Sequence, residues 1–288
     1  MHRWFTRSLP AGILLLAFTT ACSADAGGRP DGTKPSEHAK ASAPTAVRVP
    51  AADTAFDYQI GGPYTPPDGV KAVSRDRTAK PAPGLYNVCY VNAFQTQPDS
   101  AITWWKDHHP ELLLRDGEGR PVVDEDWDEP LLDISSAGKR AALMEVVGPW
   151  IDGCADAGYD AVEADNLDSY QRSEELLTAK DAEAFATLLA ERAHRRHLAF
   201  GQKNTGELLS RRSRIGFDFA VVEECARYKE CPEFSDAYHG KVFDIEYRKA
   251  DFTKGCDTWG DSLSINLRDL DVRPAGTDGH VSRRCPVT

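Results

Sequence analysis

Tyr159-Asp-Ala-Val-Glu-Ala-Asp-Asn-Leu-Asp-Ser-Tyr170 is the stretch from which the fold is inferred. Successive side chains of a β-strand point to opposite faces, so Glu163 and Asp165 lie on the same face with Ala164 between them. Two carboxylates that face a sheet interior cost several kcal/mol unless they are paired or hydrogen-bonded. Such a cost is usual where chemistry uses the acids, although an edge strand with a solvated acidic face is the alternative. The stretch therefore predicts a strand that carries functional carboxylates.

Seven other stretches have the composition of strands and are bounded by turn residues or helical patterns. They are residues 56–62, 85–94, 131–134, 198–204, 217–224, 241–247 and 263–267. The segment between the first two is predicted to be loop, with at most a poor helix.

Helical patterns separate several of these strands. A short helix is predicted over residues 99–108, and a longer one, capped by Ser135 or Ser136, follows the strand at 131–134. Pro149 lies inside that longer helix and is expected to kink or divide it. Thr178 with Asp181 predicts a capping arrangement for a third helix over residues 182–194.

Eight strands that alternate with helices predict an α/β fold, in which a parallel sheet closes into a (β/α)8 TIM-like barrel. The barrel is expected to form a single domain over residues 55–288. A doubly wound open sheet is the main structural rival. If it bound a nucleotide it would carry a Gly-rich phosphate loop after an early strand, and the sequence has none.

Residues 1–22 have the features of a bacterial lipoprotein signal peptide. Basic residues precede an apolar run over residues 9–18, which is too short to cross a membrane. Small residues lead directly to Cys22, so lipidation of Cys22 is expected, with ordinary secretion as the alternative. Residues 23–54 are rich in Ala, Gly, Pro, Ser and Thr and predict a flexible tether. The protein is therefore expected to be extracellular or on the cell surface, touching a membrane only through this anchor.

Six of the cysteines lie after the signal, and an even number in an exported chain indicates disulfide bonds. Cys225 and Cys231 are predicted to pair, because the loop between them is short and polar. Cys256 with Cys285 could then fasten the C-terminal tail, which would leave the other two cysteines to pair. A zinc site is the alternative, but the chain has no Cys-x-x-Cys or His-x-His pattern.

The composition excludes several classes of protein. A hydrophobic content of 41% is that of a globular chain. Lys and Arg number 34 against 45 Asp and Glu, and the net charge of -11 argues against binding to nucleic acid. The charge would suit a cationic partner or substrate, although acidic secreted proteins are common. We expect a monomer that needs no metal ion and no organic cofactor.

Polar side chains gather at the carboxyl ends of the predicted strands, which is the face of a barrel where active sites lie. One polar strand end would be ordinary, but so many together are hard to explain as solvated loops. These residues are Gln59, Asn92, Asp133, Glu163, Asp165, Asn166, Lys203, Asn204, Glu223, Asp244, Glu246 and the adjoining Tyr247.

Asp165 and Glu223 are the predicted catalytic pair, because each ends a strand among apolar or small neighbours. Two separated carboxylates without metal-ligating histidines suffice for glycoside hydrolysis, in which one acid protonates the leaving oxygen and the other attacks or activates water. Glu163 lies deeper on the same face and is expected to support them. Lys203 is expected to ion-pair with Asp165 or Glu163, and a Schiff-base lysine is the alternative.

Aromatic residues near the strand ends are candidates for stacking on a sugar ring, although each could equally be core packing. Trp104 and Trp105 are adjacent in the chain. Core packing would bury one of them, and exposure of the other would indicate a cleft. The remaining candidates are Tyr64, Tyr90, Trp127 and Tyr247.

These motifs resemble glycoside hydrolase family 114, the endo-α-1,4-polygalactosaminidase-like family of barrel enzymes. The resemblance covers roughly residues 56–267, and the motifs come in the same order: residues 160–170, Gln202-Lys-Asn204, Phe217-Asp-Phe-Ala-Val-Val-Glu-Glu-Cys225 and Val242-Phe-Asp-Ile-Glu-Tyr247. The family has Glu-Pro-Asp-Asn where this chain has Glu163-Ala-Asp-Asn166, and Asn-Glu-Gln-Cys where it has Val222-Glu-Glu-Cys225. Both catalytic acids match the family pattern, but the residues beside them differ. These differences could change the substrate preference and the activity.

The resemblance implies that the chain cleaves an α-1,4-linked galactosamine-containing polysaccharide with retention, with Asp165 as nucleophile and Glu223 as acid/base. A partly deacetylated amino sugar would be cationic, in agreement with the acidic composition. An alternative from another class is a catalytically inactive barrel that binds glycan. The residues expected to bind substrate are Gln59, Asn92, Asp133, Glu163, Asn166, Lys203, Asn204, Glu246 and Tyr247.

Overall fold

A computed structural model describes residues 46–286. The predicted signal peptide over residues 1–22, the predicted lipidation site Cys22 and the first part of the predicted tether lie outside the described residues. Within the described part, no helix combines the length and the apolar character needed to cross a membrane.

The strands of residues 46–286 belong to two sheets. Nine strands form one sheet in the order β1-β2-β3-β6-β7-β8-β9-β10-β11, and β4 and β5 form a separate pair. Their bounds are β1 Phe56–Tyr58, β2 Ala72–Asp76, β3 Tyr86–Asn92, β4 Val123–Asp124, β5 Glu129–Pro130, β6 Ala161–Asp165, β7 Ala199–Lys203, β8 Phe219–Glu223, β9 Val242–Glu246, β10 Ser264–Arg268 and β11 Ser282–Arg284.

The large sheet curves into a nearly closed barrel. Neighbouring strands from β1 to β10 pair in parallel, and β11 pairs with β10 in the antiparallel direction. β11 also lies against β1, where Ser282 Oγ donates a 2.7 Å hydrogen bond to Asp57 Oδ1. The prediction of an α/β, TIM-like barrel is confirmed, with eight parallel strands and one antiparallel strand beside the seam.

One predicted barrel strand is wrong. The apolar run at residues 131–134 makes only isolated bridges, among them Leu113 with Leu132, and packs into the core outside the barrel. Its place in the barrel is taken by β2, which lies in the segment predicted to be loop. The strand pattern of β2 is hidden because Ser74 points to the polar barrel interior, where it donates a hydrogen bond to Glu163, while Val73 packs on the outside.

The helices cover the barrel, and two of the predicted helix starts are confirmed. Ser136 caps α2 by accepting a hydrogen bond from the Lys139 backbone N–H, and Thr178 and Asp181 form a reciprocal capping box for α3. α2 continues through Pro149 and is not divided there. The helix bounds are α1 Ser100–His108, α2 Ala137–Ala157, α3 Ala179–Arg195, α4 Arg212–Ile215, α5 Cys225–Tyr228, α6 Cys231–Tyr238 and α7 Lys249–Trp259, with short 3-10 helices at Pro110–Leu112, Ser169–Arg172 and Gly206–Arg211.

Apolar side chains fill the lower part of the barrel interior, so the polar groups are confined to its upper part. The Phe56 and Phe243 rings stack with their centroids 4.2 Å apart. Gly201 leaves room for a third ring, because a Cβ atom there would lie 2.8 Å from Cζ of Phe219. These rings form a floor beneath the polar residues at the carboxyl ends of the strands.

Residues 46–54, the last part of the predicted tether, pack on the barrel. Val47 contacts the interior apolar cluster. Arg48 forms a 2.9 Å ion pair with Asp160, which directly precedes β6, and its carbonyl accepts a hydrogen bond from the Tyr86 hydroxyl. These contacts lie at the amino ends of β3 and β6.

Three disulfide bonds join the six cysteines of residues 46–286. They are Cys89–Cys154, Cys225–Cys231 and Cys256–Cys285, and the predicted pairings are confirmed. The first joins β3 to α2, and the third fastens the tail that follows β11 to α7.

Candidate active site

The carboxyl ends of β6, β7 and β8 bring three predicted site residues together. Asp165 ends β6, Lys203 ends β7 and Glu223 ends β8. All three side chains point to the barrel interior, and Tyr247, directly after β9, joins them there. Strand alternation alone produces this convergence, because each residue is two or four positions beyond an apolar or small interior residue of its own strand.

Lys203 occupies the centre of the site. Its Nζ lies 3.0 Å from Asp165 Oδ1, 3.1 Å from Glu163 Oε1 and 3.4 Å from Glu223 Oε2, and only 2% of the residue is exposed. Burial works against the charged form, but the surrounding carboxylates outweigh it and raise the pKa of Lys203 well above its usual value. A lysine held so firmly as an ammonium ion is a poor nucleophile, which argues against the Schiff-base alternative.

Asp165 is held as a carboxylate. The Tyr90 hydroxyl donates a 2.7 Å hydrogen bond to Oδ2, and the Asn166 backbone N–H donates one of 2.7 Å to Oδ1. Burial opposes ionisation, but the Lys203 charge and these two donors prevail and lower the pKa of Asp165. An ionised, partly desolvated carboxylate at the mouth of the barrel has the properties of a nucleophile.

Glu163 lies one layer below Asp165 and is fully buried. Tyr58 and Ser74 each donate a 2.8 Å hydrogen bond to it, and Lys203 completes its shell. Burial raises the pKa of Glu163, against the opposing effect of Lys203. It lies directly under the pair, and its supporting role stays a prediction.

Glu223 is the more open member of the pair, with 28% of its side chain exposed. Asn204 Nδ2 donates a 3.1 Å hydrogen bond to Oε2, the Tyr247 hydroxyl donates one to Oε1, and the Glu223 N–H donates to Asn204 Oδ1 at 2.8 Å. Asn204 and Tyr247 thus orient this carboxylate from the two neighbouring strands.

A pocket of about 360 Å³ opens above these groups. Five of the predicted site residues are among those that line it, namely Asp165, Glu223, Asn166, Asn204 and Tyr247. Acids predominate in the rest of its wall, where Arg172 is the cation among the lining residues. The further acids are Asp124, Asp126, Glu129, Asp168 and Asp271.

Glu129 is a pocket residue that the sequence analysis missed. Asn92 Nδ2 donates a 2.9 Å hydrogen bond to its Oε2, and Asn166 Nδ2 lies 3.4 Å from the same oxygen. Burial is the main cause that raises the pKa of Glu129 to about 7. The residue belongs to the two-residue strand β5, where no periodic pattern points to it. Asn92 is predicted to bind substrate, but it is buried beneath Glu129 and positions it.

Three predicted substrate-binding residues lie away from the pocket. Gln59 is buried in a separate network with Asp57 and Arg75 on the outer face of β1. Asp133 pairs with Lys139 at 3.1 Å, because the strand it was expected to end does not exist. Glu246 faces away from the barrel interior and accepts a 2.8 Å hydrogen bond from the Ala226 N–H.

Some of the aromatic candidates line the pocket, and others lie outside it. Tyr90 and Tyr247 line the pocket but donate hydrogen bonds to the two acids, so they position carboxylates. Trp127 lines the rim and is 51% exposed. Tyr64 donates to Asp57, outside the pocket.

Potential metal ligands cluster at one place in the described residues, where Cys225, Cys231 and Asp244 approach each other. The two sulfur atoms are bonded to each other, so they offer no thiolate to a metal ion.

The fold and the paired carboxylates define a barrel-type glycoside hydrolase. The model of glycoside-hydrolase family GH114 matches residues 36–287, and the chain belongs to this family.

Solved structures show the same fold. The structure of Ega3 from Aspergillus fumigatus, in complex with galactosamine, is 24% identical with a TM-score of 0.66, over 79% of this chain and 96% of the other. A variant of the glycoside hydrolase domain of PelA from Pseudomonas aeruginosa is 16% identical with a TM-score of 0.54, over 80% of this chain and 97% of the other. Comparison with curated proteins gave no match.

Proposed function

We propose that this glycoside hydrolase cleaves an α-1,4-linked galactosamine-containing polysaccharide, with retention at the anomeric carbon. One observation carries the proposal: Asp165 and Glu223 flank the same lysine ammonium at the floor of an open, acidic pocket.

The two acids differ in their surroundings, and this difference supports a double-displacement mechanism. Asp165, the less exposed carboxylate with the lowered pKa, attacks the anomeric carbon while Glu223 protonates the departing glycosidic oxygen. Glu223, which is more open to solvent, then takes a proton from water, and the resulting hydroxide displaces Asp165 from the glycosyl-enzyme. Lys203 and Tyr90 would stabilise the Asp165 carboxylate before attack and after its release.

The short distance between the nearest oxygens of the two acids is compatible with retention. Lys203 Nζ lies 3.0 Å from one carboxylate oxygen and 3.4 Å from the other, so those oxygens are at most 6.4 Å apart. Carboxyl groups of retaining enzymes are about 5 to 5.5 Å apart, and those of inverting enzymes about 6.5 to 9.5 Å.

The acidic wall of the pocket supports an amino-sugar substrate. Asp126, Glu129 and Asp168 would attract the ammonium group of an unacetylated galactosamine unit, and that attraction is strongest where the site excludes water. The Ega3 structure, a complex with galactosamine, shows the ligand that this related barrel binds.

The test is reducing-end release from an α-1,4-galactosamine polymer by Asp165→Asn and Glu223→Gln. We expect each substitution to lower kcat by at least about a thousandfold, because each removes a group that acts in the transition state. Asp133→Asn is the matched control and should keep wild-type turnover, because Asp133 lies outside the pocket. Full turnover in either active-site variant would rule out the assignment.

Two further readouts separate the alternatives. Proton NMR of the first product should show the α-anomer, and a β-anomer would establish inversion instead. Wild-type protein that binds the polymer without releasing reducing ends would favour the glycan-binding alternative.

We also propose that the protein is exported and anchored through Cys22. The three disulfide bonds support an oxidising compartment. Metabolic labelling with a fatty-acid analogue in the native host should tag the wild type and not Cys22→Ala, and equal labelling of both would contradict lipidation. Size-exclusion chromatography with light scattering should give the mass of a monomer.

A further inference from the structure

A second groove, of about 480 Å³, adjoins the active-site pocket. The two share Gln97 in their walls. Asn92, which positions Glu129 for the pocket, also borders the groove. The groove is therefore close enough to the pocket to take the next unit of a chain that passes Gln97.

The groove wall has the composition of a carbohydrate-binding surface. Trp104, Trp105 and Trp150 line it together with polar groups of Gln97, Thr78 and Ser100. Trp105 is buried and packs edge-on against both other indoles, with centroids 5.3 and 5.9 Å apart, so it holds them in place. Trp104 is 38% exposed. A fixed aromatic ring next to hydrogen-bonding groups suits a ligand that has both apolar and hydroxyl faces.

The charge of the groove is opposite in sign to that of the pocket. Arg77 is the charged residue among those that line the groove, and its guanidinium lies 4.1 Å from the Trp150 ring centroid. Asp76 is not among the lining residues, and its carboxylate is already occupied by hydrogen bonds from the Thr78 N–H and the Gln97 side chain. An ammonium group in the groove would meet Arg77 without a free carboxylate beside it, which is unfavourable at short range.

We propose that the groove is a second sugar subsite that takes a neutral, N-acetylated galactosamine unit of the chain whose neighbouring unit is cleaved in the pocket. The inference rests on the proposed function. The acetyl methyl group would pack on the Trp104 indole, and its amide would hydrogen-bond to Gln97. The pocket and the groove together would recognise a pattern, with a free amine in the pocket and an acetylated unit beside it.

The test compares Trp104→Ala with wild type on two galactosamine polymers of equal length, one fully deacetylated and one partly N-acetylated. We expect kcat/KM on the partly acetylated polymer to fall about five- to tenfold, as the loss of one aromatic stacking partner predicts, and to stay unchanged on the deacetylated polymer. Trp104→Phe keeps an aromatic face and should restore most of the loss. Arg77→Glu should shift the preference toward the deacetylated polymer.

Equal loss on both polymers, or no loss on either, would overturn the subsite. If the wild type cleaves neither polymer, the proposed function fails, and the groove is then tested alone by calorimetric titration with N-acetylgalactosamine oligosaccharides. Binding that Trp104→Ala weakens and Trp104→Phe retains would support the groove. Equal binding by wild type and Trp104→Ala, or no binding, would reject it.

Discussion

Lys203 is the cation that joins three acids at the centre of the site. It contacts Glu163, Asp165 and Glu223, and its charge favours the ionised form of Asp165, whereas burial raises the pKa of Glu163. The barrel interior therefore holds a buried charge at a place where apolar side chains could otherwise pack. Removing one partner of such a cluster leaves an unpaired buried charge. The protein then loses more stability than the intact cluster contributes.

Lys203→Gln should move the acidic limb of the kcat/KM profile to higher pH. In the wild type, Lys203 helps to lower the pKa of Asp165, so the nucleophile is ionised even in mildly acidic solution. Without the cation that pKa rises, and we expect the limb to shift by about one to two pH units. Lys203→Arg, which keeps the charge, should shift the limb less even if its bulk lowers kcat. An unmoved limb in folded Lys203→Gln protein would show that the lysine does not control Asp165.

Glu129→Gln should weaken substrate binding in a pH-dependent way. The Glu129 pKa of about 7 means that the wild-type side chain gains its negative charge as the pH rises through neutrality. The ratio of KM for the variant to KM for the wild type should therefore rise from near one at pH 6 to about tenfold at pH 8, as expected for a hydrogen bond to a charged group. Titration of the substrate amine affects both proteins equally and cancels in the ratio. A constant ratio would place Glu129 outside the binding step.

The residues of the site were predictable where they follow a regular strand. Asp165, Lys203 and Glu223 end strands with clear alternation, so the barrel geometry brings them together. Glu129 follows no such pattern, because it reaches the pocket through an irregular excursion. Glu246 and Tyr247 were both predicted to bind substrate, but adjacent residues of an extended chain point to opposite sides, so only Tyr247 faces the pocket.

At the scale of elements, the strand pair β4–β5 builds one wall of the pocket. It places Asp124 and Glu129 there, and Arg172 from the 3-10 helix after β6 pairs with Asp124 at 2.6 Å. The number of barrel strands was predictable, but the identity of one was not. β2 was not predicted as a strand, because its polar residue Ser74 faces the barrel interior. The run at residues 131–134 was predicted instead, because it is as apolar as a buried strand, but it packs as an irregular segment.

Thr178→Ala should destabilise the protein through the start of α3. The Thr178 side chain accepts a hydrogen bond from the Asp181 N–H, and the Thr178 N–H donates one to the Asp181 carboxylate. Loss of such a cap costs about 0.5 to 2 kcal/mol, which chemical denaturation should detect as a lower midpoint without loss of kcat. Lys180→Ala, an exposed change in the same turn, is the control and should leave the midpoint within about 0.5 kcal/mol of wild type. Equal midpoints for the two variants would show that the cap is not needed.

At the scale of the molecule, β11 and the tail behind it complete the barrel beside the seam. Cys256–Cys285 fastens this tail and closes a chain separation of 29 residues, against 6 for Cys225–Cys231. Cys256–Cys285 lies far along the chain from the catalytic pair. Cys225–Cys231, in contrast, begins two residues after Glu223.

The double variant Cys256→Ser with Cys285→Ser should lower stability and spare catalysis. Opening a loop of this length removes about 3 to 4 kcal/mol of chain-entropy stabilisation, which urea denaturation measures. kcat at a temperature where the protein stays folded should change less than about twofold. Cys225→Ser with Cys231→Ser should show the reverse ranking, with a smaller loss of stability and a larger loss of kcat. If both pairs affect kcat equally, the turn after Glu223 does not depend on its disulfide.

The Arg48–Asp160 ion pair ties residues 46–54 to the barrel at the amino end of β6. Asp160 precedes β6, whereas Asp165 ends it, so this pair lies at the end of the barrel opposite the catalytic opening. A polymer that approaches the catalytic mouth therefore does not have to displace the contacts that Arg48 makes with the barrel.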